Sequence, residues 1–148
     1  EPAGAARTDD PAPDAYPRVS FDRVRCLVKS GDKVKEFEAT LTFDGGELVI
    51  STPKAVPATH AVRVRRIESA VYSSSKRPRW KEGAAAAVAF GVFATPVFFM
   101  KSTSHWLTID AGGEPVVLRL DKRNFEAIIT ALESRWGRRV ERAPAEND

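Results

Sequence analysis

The sequence predicts a domain of the α+β class, mainly β, and three observations carry that expectation. Apolar residues recur at every second position in short runs interrupted by turn residues. One stretch near the C-terminus repeats instead at helical spacing. Between these patterns, residues 83–100 read GAAAAVAFGVFATPVFFM, with no charge and no side-chain amide, in a chain that is 29% charged.

Residues 1–17 hold Pro2, Pro11, Pro13 and Pro17 among Ala and Asp, a composition too poor in large apolar groups to offset chain entropy. A flexible leader is expected there, of the kind that lies between a removed export signal and a folded domain. An exported or cell-envelope location follows as an expectation. The domain itself is expected over 18–140, and a flexible tail over 141–148.

From Val19 the period is two: Val24, Cys26 and Val28 alternate with Arg25, Leu27 and Lys29 before Ser30, Gly31 and Asp32 turn the chain. Phe37, Ala39, Leu41 and Phe43 mark a second strand, and Asp44, Gly45 and Gly46 a second turn. A third strand follows at 48–51. These three form an antiparallel meander with one wet face, so the apolar face needs a second layer.

Pro53 and Pro57 mark a loop. Val62 and Val64 then alternate with Arg63 and Arg65, while Ile67, Ser69 and Val71 resume out of phase, so a bulge or break is expected at Arg65 and Arg66. After the apolar run, 106–110 and 115–120 read as two strands joined by a turn over 111–114. The final pattern is a helix: Asp121 can cap it, Phe125, Ile128, Ile129, Leu132 and Trp136 share one face, and Gly137 supplies the stop.

Segments 46–50 (GELVI), 67–72 (IESAVY), 105–109 (HWLTI) and 116–122 (VVLRLDK) running into Asn124 and Phe125 carry a family likeness. Together they resemble the pleckstrin-homology-like (PH-like) superfold, in its bacterial PH or GRAM-like branch. The resemblance implies a bent antiparallel sheet or open barrel of six to seven strands, one end closed by the C-terminal helix, with 83–100 inserted between two late strands. It implies a scaffold for membrane or protein contacts. The phosphoinositide motif of the family is not matched: Lys29, Lys33 and Lys35 are closely spaced and no Arg ends the group, so headgroup recognition is not carried over.

Composition narrows the function classes. A net charge of +3 is too small for general nucleic-acid binding, and basic and aromatic residues do not interleave along one strand face. Cys26 is the single cysteine and reads as a core residue, without disulfide or cysteine zinc site. His60 and His105 lie far apart, and no metal-ligand spacing, nucleophile elbow or phosphate-binding glycine pattern is present. No enzyme, cofactor, metal or small-molecule substrate is expected.

The feature that points to a surface is the apolar run and its neighbours. Arg63, Arg65, Lys76, Arg77, Arg79 and Lys81 precede it and Lys101 follows, a basic collar in which each cation near an anionic leaflet contributes about 1 kcal/mol. Trp80 and Trp106 bracket the run, and Val88, Phe90, Phe93, Phe98 and Phe99 lie within it. A single transmembrane span would place the early strands and the final hairpin with its helix on opposite sides of the bilayer, leaving the helix's apolar face uncovered. The expected function is therefore peripheral attachment to anionic membrane through these apolar residues and the collar. The alternative is protein interaction or self-association through the same surface, with the run partly in the core.

Overall fold

A computed structural model describes residues 17–30, 33–54, 59–75, 103–112 and 114–143. The elements are β1 (Val19–Ser30), β2 (Lys33–Asp44), β3 (Glu47–Ser51), β4 (Thr59–Arg63), a 3-10 turn (Val64–Arg66), β5 (Ile67–Ser75), β6 (Ser104–Ala111), β7 (Glu114–Leu120), α1 (Phe125–Trp136) and β8 (Glu141–Arg142). They form one eight-stranded sheet in the order β4, β3, β2, β1, β7, β6, β5, β8. All neighbours are antiparallel except β5 and β8.

The expected break at Arg65 and Arg66 is the 3-10 turn, which separates β4 from β5 and restores Val64 and Ile67 to the interior. A second irregularity was not legible. In β1, Asp22 and Arg23 face Thr40 alone, and Arg23 takes the left-handed conformation with φ of 62°. The bulge is held from the helix side, where Asn124 Nδ2 donates to the Asp22 carbonyl at 2.6 Å.

The core joins the inward residues of the strands to one face of the helix. Leu41, Phe43, Leu48, Ile109, Leu118, Ile128, Ile129 and Leu132 are buried in one cluster, with Phe125 and Trp136 packed against it. The helical spacing is thus borne out, and Gly137 ends α1 in the left-handed region at φ 77°. The N-terminus differs from expectation. Asn124, not Asp121, precedes the first helical residue, while the Asp121 carboxylate accepts from Arg123 N at 2.9 Å and shapes the turn before it.

Three further expectations need correction. The sheet holds eight strands rather than six to seven, the eighth being two-residue β8. The chain does not leave the fold at 141: β8 pairs with β5, and Ala143 N donates to Tyr72 O at 2.8 Å. Nor does the wet face of the meander, where Arg25, Glu38 and Glu47 are exposed, continue across the whole sheet. Leu27, Val71, Trp106 and Val117 lie outside the core cluster yet are buried, with Trp106 and Val117 at 0%. The cause is visible in runs such as 116–118 and 106–107, where apolar residues are contiguous and serve two buried faces at once.

Candidate functional site

Local geometry brings two arginine runs, remote in sequence, to one corner of the molecule. The first is the β4 end and the 3-10 turn, where Val64 is buried and Arg63, Arg65 and Arg66 are exposed. The turn explains the exposure: one apolar residue anchors it and the flanking long side chains point out. The second run follows α1, whose end places Arg138 and Arg139 on the surface. Cations there also complement the negative end of the helix dipole.

Trp136 joins the two. Its indole Nε1 donates to Ile67 O at 3.1 Å, directly after Arg66, and α1 packs against the 3-10 turn. The Arg138 guanidinium lies 4.5 Å over the same indole ring. Arg135 is engaged elsewhere, donating to Pro17 O at 2.7 Å and Ala131 O at 3.1 Å. Among the described residues Arg63, Arg66 and Arg139 make no ion pair. Glu47, across the ladder from Arg63, Glu68 and Glu141 bring negative charge to nearby strands, and the Glu133 carboxylate accepts from Val140 N, beside Arg139, at 2.8 Å. Guanidinium groups around a half-buried indole can hold carboxylates or phosphates bidentately.

A second polar group lies inside the fold. Tyr72 Oη and His105 Nδ1 are 2.7 Å apart, and the imidazole stacks on Phe125 with ring centroids 4.0 Å apart. Burial pushes the His105 pKa down and that of Tyr72 up. His60 sits on β4, away from this pair. Among the described residues no group of three or more His, Cys, Asp or Glu is gathered.

The residues expected to form a surface are distributed unequally. Arg63 and Arg65 are exposed in the arginine corner. Trp80, Val88, Phe90, Phe93, Phe98, Phe99, Lys76, Arg77, Arg79, Lys81 and Lys101 lie outside the described residues. Trp106 corrects its expectation: it is completely buried and its Nε1 donates to Ser75 O at 3.1 Å, so it faces neither lipid nor partner. Sequence reasoning missed Arg138 and Arg139. The only signal was two arginines directly after a helix-stop glycine, which alone reads as a solvated tail.

No protein-family model and no curated protein matches the chain. Among solved structures, a chain of the Spt16D Pob3N heterodimer is similar, with TM-score 0.52 and 13% identity, over 89% of this chain and 57% of that one. This chain therefore spans little more than half the length of that neighbour. The likeness shows the fold alone, and that fold is pleckstrin-homology-like. The C-terminal domain of an unknown protein from Leishmania infantum matches at TM-score 0.43 and 13% identity, over 82% of this chain and 86% of that one.

Proposed function

We propose that the chain is a non-enzymatic PH-like interaction module that holds an acidic segment of a partner protein against its arginine corner. The observation that carries this reading is the bond from Trp136 to Ile67, which unites Arg63, Arg65 and Arg66 with Arg138 and Arg139 on one scaffold. The solved neighbour is a heterodimer, which agrees with a scaffold used in protein assembly. The test is calorimetric titration of a Glu-rich peptide and its Lys-rich counterpart into the full chain. The acidic peptide alone binds, and Arg66→Glu with Arg139→Glu lowers its affinity about tenfold or more, as loss of charge-assisted hydrogen bonds requires. Unchanged affinity in that double variant would sink the reading.

One observation favours a second reading, attachment to anionic membrane through 83–100. Ser75 and Ser104 are register partners, so the chain leaves β5 and re-enters β6 at a single end of the sheet. Both halves of the domain then share one side of a bilayer, and the basic residues at 76–81 and Lys101 flank the run in sequence. An exported or envelope location belongs to this reading. Vesicles rich in phosphatidylserine should sediment the chain at low salt, and replacement of 83–100 by a short Gly/Ser linker should abolish this. Equal sedimentation with neutral vesicles would exclude it.

A further inference from the structure

We infer that the free edge of β4 receives the acidic partner segment as an added β-strand, which deepens the arginine-corner reading and rests on it. The sheet is open, and among the described residues no strand pairs with β4 on the side away from β3. Backbone geometry fixes the phase of that edge. Val64 N donates to Gly46 O at 3.0 Å, so this N–H points toward the β3 side. Across a planar trans peptide the preceding carbonyl points the other way, which turns Arg63 O outward.

Alternation then sends the main-chain groups of Thr59, Ala61 and Arg63 outward, while His60 and Val62 bond toward Ile50 and Leu48. The same three residues are exposed and Val62 is buried. Among the described residues, unpaired main-chain donors, unpaired acceptors and outward side chains therefore coincide on alternate positions of this edge. An edge of this kind accepts an extended segment by main-chain hydrogen bonding, with alternate pockets setting its preference.

Charge selects the occupant. On the exposed face the added strand meets Arg63 and, beyond the strand end, Arg65 and Arg66; on the other face it meets the side of buried Val62. The fitting partner is an extended segment that alternates acidic with β-branched apolar residues. A lipid surface offers no strand and cannot use the outward amides.

The probe is a labelled peptide of alternating Glu and Val, titrated into the full chain by fluorescence anisotropy, with amide exchange followed by NMR. Binding is expected to protect the Ala61 and Arg63 amides about tenfold or more, whereas those of His60 and Val62, already bonded, change little. Ala61→Pro removes a donor that the fold does not use, so the sheet persists while peptide affinity falls about tenfold or more. A peptide of the same charge with proline at the Val positions should bind far more weakly. If this proline peptide binds equally well, or the Ala61 and Arg63 amides stay unprotected at saturation, strand addition is wrong while the arginine corner stands. These two measurements on the unaltered chain decide the matter even if Ala61→Pro fails to fold. If Arg66→Glu with Arg139→Glu leaves binding unchanged, or only phosphatidylserine vesicles bind, the arginine-corner reading fails together with the strand.

Discussion

Trp136 Nε1 and Ile67 O, separated by 69 positions in the chain, lie 3.1 Å apart and couple the end of the helix to the turn that opens β5. Trp136→Phe keeps an aromatic ring against the core but removes the donor, leaving Ile67 O without its partner. A loss of about 1 kcal/mol is expected by urea denaturation. Affinity for the acidic peptide should also fall, because the two arginine runs lose their tie.

Gly137 isolates a purely conformational cost. A Cβ there would meet no heavy atom within 4 Å, yet the residue holds φ of 77°. Gly137→Ala should destabilise by about 1 kcal/mol without altering the packing of α1, visible as a lower thermal midpoint with unchanged near-ultraviolet dichroism.

Trp106 distinguishes a buried face from a surface anchor. Its indole is fully enclosed and bonded to Ser75 O, so Trp106→Ala should cost about 3–5 kcal/mol in denaturant unfolding. A solvent-facing indole would cost only about 0.5 kcal/mol.

His105 makes stability depend on pH in one direction. Burial lowers its folded pKa below the usual 6.5, partly countered by Asp121 and Glu126. The unfolded chain then takes up the proton first, so stability declines as pH falls through the unfolded value toward the folded one, and is regained above about 6.5. Protonation also makes both ring nitrogens donors, so Nδ1 of the charged ring can only donate to the Tyr72 hydroxyl. Thermal midpoints from pH 8 to pH 5 should fall more steeply in the parent than in His105→Asn.

Cys26 is buried, and its thiol is pushed up to about 12 by that burial. A disulfide reagent at pH 8 should leave it unmodified in the folded chain and react promptly in denaturant. Prompt reaction without denaturant would mean that β1 opens locally.

Much of the fold was legible because each strand and the helix write their period locally. Leu41 and Phe43 declare their face two residues apart, and Ile128, Ile129 and Leu132 declare theirs within a turn. Two-residue β8 was not, since Glu141 and Arg142 show no alternation and gain strand geometry only from β5. The bulge at Asp22 and Arg23 was hidden for a related reason: neither residue type asks for positive φ, and Asn124, about a hundred residues away, holds the conformation. Of the candidate site, Arg63 and Arg65 were named from sequence, but Arg138 and Arg139 were not singled out.

By itself the sequence determined the alternating strands, the break at Arg65 and Arg66, the helix face and its stop at Gly137. These depend on side-chain spacing and backbone preference over a few residues, which the chain carries wherever it folds. Tertiary structure alone decided that Trp106 is interior, that among the described residues no strand pairs with the outer edge of β4, and that the two arginine runs share a corner. Those outcomes depend on hydrogen bonds between distant residues, chiefly Trp106 to Ser75 and Trp136 to Ile67, and on burial that no local period records.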